Sequence, residues 1–210
     1  MANKNRKSQL HQANQLKAKQ QQYDAATKHL FIFTFIAIAL SVISLLLYFV
    51  PFAQVYLQGY GPEHWVTGWE WIVACLGGNY TSPNIARGSL ANIFYYFATE
   101  WCEPLAIVTL FSALVLVINL LVQVITAVKK IHVLNVVSAV LSVVVFVLLI
   151  VCYAKGLDMK NANILSDFCG NNPLCSIKSY AIVPAIFALG GAGVSTFAAV
   201  KYFKASKLLK

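Results

Sequence analysis

Five cysteines are the first residues in this chain that could carry covalent or metal chemistry. Cys169 and Cys175 bracket Gly-Asn-Asn-Pro-Leu, a run of turn formers that folds two thiols toward each other. Cys75 and Cys102 make a second, wider pair, and Cys152 stands inside a long apolar run. Cys75, Cys102, Cys169 and Cys175 allow three disulfide pairings, of which Cys169–Cys175 with Cys75–Cys102 is favoured. A zinc site is not expected, because no Cys-x-x-Cys and no closely spaced pair of histidines accompanies them. Serines, cysteines and histidines are present, but nothing in their spacing places a nucleophile beside a base. The reading is therefore non-enzymatic, with no cofactor.

The other candidate chemistry is hydrogen bonding by amides and hydroxyls inside apolar runs. Asn119 and Gln123 are four residues apart and share one helix face; Asn135, Ser138 and Ser142 share another. A short turn at Lys129-Lys130 lays these two runs antiparallel, and counting from it predicts Gln123 opposite Asn135. Thr34, Ala37, Ser41, Ser44 and Tyr48 recur at alternating steps of three and four, again one helical face. Gly190, Gly191 and Gly193 open a run of small residues with Ala192, Ser195, Thr196, Ala198 and Ala199. Gly191, Ser195 and Ala199 form a small-xxx-small row, and Ala188, Ala192 and Thr196 a second beside it; Phe197 interrupts the row of Gly193. Such rows allow helix backbones to approach closely in lipid, where polar side chains supply modest interhelical bonds.

The elements that must position these residues are membrane helices. Of 210 residues, 59% are hydrophobic and only 11% charged. A soluble fold would carry about 25% charged residues. Four uncharged apolar runs span about 30–50, 104–128, 131–153 and 180–200. Each matches the roughly 20 residues that a helix needs to cross about 30 Å of hydrocarbon. Helices are the expected form, because lipid satisfies no backbone polar group. The first run is too long, and its lead of 29 residues too extended, for a cleaved signal peptide; it reads as a retained anchor. The class is an all-α membrane protein, a four-helix transmembrane bundle.

Charge sets the expected orientation. Residues 1–29, the turn at Lys129-Lys130 and the segment from Lys201 onward hold twelve of the sixteen Lys and Arg residues. The loops 51–103 and 154–179 hold only Arg87, Lys155, Lys160 and Lys178. The positive-inside rule places both termini in the cytoplasm of a multi-pass cell-membrane protein. The net charge of +9 belongs to these flanks and not to a nucleic-acid surface. Basic residues beside the spans attract anionic headgroups. Leu10, Ala13 and Leu16 recur at helical spacing, so residues 2–29 are read as a partly amphipathic helix resting on the bilayer, and 204–210 as a basic tail.

The loop 51–103 faces outward in this topology and holds all four tryptophans. Residues 54–75 read as short strands, a small extracellular β-hairpin or sheet broken at Gly59, Gly61-Pro62 and Gly68; 89–101 read as an interfacial helix. The external compartment permits the cysteine pairs named above. Asn79-Tyr80-Thr81 matches a glycosylation sequon. Gly68-Trp69-Glu70-Trp71 precedes Cys75, and Cys102 and Arg87 follow. With four spans, inside ends, a large aromatic first outer loop and a smaller second one, this layout resembles the claudin-type tetraspan proteins. The resemblance implies a small external sheet over a left-handed four-helix bundle, and an adhesive or accessory role.

The function expected from these residues is that of a scaffold or accessory protein acting on a membrane-protein partner or as a homo-oligomer. The alternative is a subunit of a transporter or channel complex, built on Asn119, Gln123, Asn135 and the glycine run. No Asp, Glu, Lys or Arg lies within a span, which argues against a proton-coupled carrier acting alone.

Overall fold

The computed structural model describes residues 2–56, 64–69, 72, 103–161 and 176–207. In chain order they form α1 (Ala2–Thr27), α2 (Leu30–Leu46) with a 3₁₀ turn (Leu47–Phe49), β1 (Pro51–Tyr56), β2 (His64–Thr67), α3 (Glu103–Lys129), α4 (Leu134–Asn161), β3 (Ser176–Ser179) and α5 (Ile182–Ser206). Four helical stretches are long and apolar enough to cross a membrane: Asn14–Phe49, Ile107–Lys129, Leu134–Ala154 and Ile182–Ser206.

The ends of these helices follow from local chemistry. Pro51 stops the first: Val50 before it is extended, with φ −95° and ψ 155°, as a residue preceding proline prefers. Lys130 ends α3 in the left-handed region, φ 55°, which turns the chain back within a few residues. Ile131–Val133 continue that turn, so α4 begins at Leu134, three residues later than the apolar run suggested, and extends to Asn161. Pro184 sits in the first turn of α5, where a missing N–H costs no helical bond. Helix α5 runs on to Ser206, carrying Lys201 and Lys204 within the helix.

The helices α2, α3, α4 and α5 pack each against the next, and α5 closes back on α2. Their buried residues lie on seams with alternating steps of three and four. In α2 and its 3₁₀ turn the seam is Leu30, Thr34, Ala37, Ser41, Ser44 and Tyr48. In α3 it is Thr109, Ser112, Leu116, Asn119, Gln123 and Thr126. In α4 it is Asn135, Ser138, Ser142, Val145, Leu149 and Cys152. A 3.5-residue repeat of this kind belongs to left-handed packing with crossing angles of about 20°. Polar and small side chains dominate these seams, whereas the outward faces carry Phe35, Ile36, Ile118, Leu121, Val140, Val144, Ile186 and Leu189. This is the reverse of a water-soluble bundle.

At the Pro51 end lies a three-stranded antiparallel sheet in the order β2-β1-β3. Ala53 pairs with Val66 on one side and Ser179 on the other, which ties the exit of α2 to the approach to α5. Phe52 is buried beneath it, and its ring fills the space a Cβ at Gly68 would need, at 2.8 Å. Tyr180 donates its backbone N–H to the Phe52 carbonyl at 2.8 Å.

The first helix runs from Ala2 to Thr27, with Leu16 65% exposed on its surface. Gln20 donates to Asp24 at 3.0 Å one turn on, and the helix touches the body of the protein through α5. The sequon at Asn79, residues 89–101, Arg87 and the four cysteines Cys75, Cys102, Cys169 and Cys175 lie outside the described residues.

Candidate functional site

The seams of α3 and α4 are mirror images about the Lys130–Ile131 peptide bond. Thr109 faces Cys152, Asn119 faces Ser142 and Gln123 faces Ser138, each pair equally distant in sequence from that bond. Asn119 Nδ2 donates to Ser142 Oγ at 2.9 Å, and Gln123 Nε2 to Ser138 Oγ at 3.0 Å. Thr109 Oγ1 lies 3.4 Å from the sulfur of Cys152, a buried free thiol. The expected pairing of Gln123 with Asn135 is thereby corrected. Counting from the two lysines placed the partner of Gln123 three residues, about one helical turn, too early, because the turn extends through Val133. Asn135 instead accepts from Thr34 Oγ1 at 3.4 Å, across the bundle from α2.

Every neighbouring pair of helices around the ring shares a polar bridge. Gln123 Nε2 also donates to Ser41 Oγ at 3.1 Å, joining α3 to α2. The Tyr48 and Ser112 hydroxyls bond lower on the same pair. Ser138 and Ser195 share a hydroxyl–hydroxyl bond at 3.1 Å between α4 and α5. Ser44 Oγ donates to the Pro184 carbonyl at 3.0 Å between α2 and α5. One connected set therefore runs Ser41–Gln123–Ser138–Ser195 through all four helices. All four residues are at most 2% exposed.

The glycine run divides. Gly191 is buried, and a Cβ there would stand 3.6 Å from Ser142 Oγ and 3.9 Å from Ser41 Oγ. At Gly190 the nearest atom is a methyl of Leu40 at 3.5 Å. Gly193, counted with them as a packing residue, faces outward with nothing within 4 Å, and Thr196 is exposed beside it. Steps of three and four from Gly191 lead to Ser195 and Ala198, while Gly193 falls on the opposite side of the helix. Sequence reasoning missed Thr109, Ser112 and Thr126, which complete the α3 seam; their regular spacing with Asn119 and Gln123 carried the signal.

Hydrogen-bond supply and demand do not balance in this core. Asn119 Oδ1, Gln123 Oε1 and Asn135 Nδ2 are buried without a partner among the described residues. At the basic end, His132 Nδ1 is likewise buried and unpartnered, with its ring 5.9 Å from that of Tyr202. Burial, and secondarily the Lys130 ammonium, hold the His132 imidazolium pKa below the ordinary 6.5. No group of three or more His, Cys, Asp or Glu side chains that could hold a metal occurs among the described residues. No protein-family model, curated protein or solved structure matches the chain.

Proposed function

We infer that this chain is a four-pass integral membrane protein that serves as a non-enzymatic scaffold or accessory protein. The observation that carries the reading is its inverted polarity: a seam of amides and hydroxyls inside, aliphatic and aromatic side chains outside. A ring closed by four polar bridges gives a rigid body. Its outer face is left free for lipid or a partner helix. The accessory role rests on the claudin-type resemblance, which implies a small sheet over the bundle; a three-stranded sheet lies at one end of the helices. The clustering of basic residues in α1, the Lys129-Lys130 turn and the end of α5 supports cytoplasmic termini beside anionic headgroups.

A second reading, a subunit of a transporter or channel complex, draws on the unpartnered carboxamide ends of Asn119 and Gln123 within the membrane-spanning core. Purification of the full chain in a mild detergent, with mass spectrometry of what accompanies it, tests both. A stoichiometric membrane-protein partner supports the scaffold reading. An energy-supplying or pore-forming partner replaces it with the second. A chain that purifies alone, as a monomer, from its native membrane overturns both.

A further inference from the structure

The imbalance in the core is local and has a definite chemistry. Ser41 and Ser142 each accept one hydrogen bond, from Gln123 Nε2 and Asn119 Nδ2. Neither hydroxyl hydrogen has an acceptor among the described residues. The oxygens of the same two carboxamides, Asn119 Oδ1 and Gln123 Oε1, have no donor. Two O–H donors and two carbonyl acceptors are thus left over within one patch of the interior. Residues four apart on a helix stand about 5–6 Å apart at Cβ. Two hydrogen bonds of about 2.8 Å through one oxygen span that distance.

Gly191 brings bare backbone to this patch, and the two atoms nearest its missing Cβ are the Ser142 and Ser41 hydroxyl oxygens, at 3.6 and 3.9 Å. A buried water needs two to four polar partners, and unfilled polar space in a protein interior is normally hydrated. We propose that the space in front of Gly191 is a binding site for a single structural water. It donates to Asn119 Oδ1 and Gln123 Oε1 and accepts from Ser41 and Ser142. One water has two hydrogens and two lone pairs, which matches the four unspent groups one for one. The water would lie where α2, α3, α4 and α5 meet, and glycine is required at 191 to leave its space.

The competing arrangement is dry. Turning the Asn119 carboxamide over would let Ser142 donate to its oxygen and its nitrogen donate to Gln123 Oε1. Water-edited solid-state NMR of the labelled full chain in phosphatidylcholine vesicles separates the two. The expected result is transfer from water to the Asn119 and Gln123 side-chain amides, and none to Leu116 and Val145 one turn away. Gly191→Ala is sterically admissible at the distances above, and is expected to abolish the transfer and lower the thermal midpoint. Wild-type amides that receive no water magnetisation overturn the proposal in favour of the dry pair. Transfer that persists in Gly191→Ala, or a midpoint that rises as a helix-interior glycine-to-alanine change ordinarily makes it, overturns the placement.

Discussion

The Gln123 side-chain nitrogen lies 3.1 Å from Ser41 Oγ, a bond between residues 82 positions apart that ties the third helix to the second. The same nitrogen reaches Ser138 on the fourth, so one carboxamide joins three helices. Interhelical bonds of this kind average about 0.6 kcal/mol in lipid. Gln123→Leu removes two of them while keeping a shape and polarity that lipid accepts. The expected loss is about 1 kcal/mol in a reversible detergent-denaturation titration, with membrane insertion intact. Leu121→Ala, on the outward face, is the control that should change stability far less.

Gly191 and Gly193 separate close packing from mere composition. Gly191 meets Ser41 and Ser142, and Leu there would force the helices apart, at a cost of about 1–3 kcal/mol or more. Gly193 meets nothing, so Gly193→Ala is expected to stabilise the helix by about 0.5–1 kcal/mol. Thermal midpoints in one detergent measure both. Opposite signs at two glycines two residues apart are the expected signature.

How much of this was legible in the sequence depended on whether one helix or two had to be known. The α2 face, Thr34 to Tyr48, needs only the 3.6-residue period, and those residues form that helix's buried seam. The small row Gly191–Ser195–Ala199 follows from the same rule. Partnership across a hairpin needs the axis of the turn as well. Lys130 adopts φ 55° and helix α4 starts only at Leu134, neither of which the apolar run marks. A shift of three residues there moved the partner of Gln123 from Asn135 to Ser138. Gly193 shows the limit of composition: three glycines in four positions share a sequence neighbourhood but not a helix face.

His132 gives the fold a pH dependence of known sign. It stands on the turn before α4, outside the spanning helices, and its pKa is held below 6.5 by burial and then by Lys130. The folded state therefore favours the neutral ring, and the unfolded chain binds the proton first. Stability contributed by the neutral ring is full above the unfolded pKa. It declines as pH falls through about 6.5 toward the lower folded value. Thermal midpoints from pH 8 to 5 are expected to drop more steeply for the wild type than for His132→Gln. Equal slopes would show that the ring does not titrate with folding.

Inverted polarity is most directly tested by a nitroxide scan along Leu134–Ala154 in reconstituted bilayers, reading collision with oxygen dissolved in lipid. High oxygen accessibility is expected at Val136, Val137, Val140, Val144 and Val147, which face outward. Minima are expected at Asn135, Ser138, Ser142, Val145 and Leu149, on the buried seam. The contradictory result is oxygen accessibility at Ser138 and Ser142 equal to or above that at Val140 and Val144. Serines turned to lipid and valines turned inward would mean that the four helices are not joined through their polar faces.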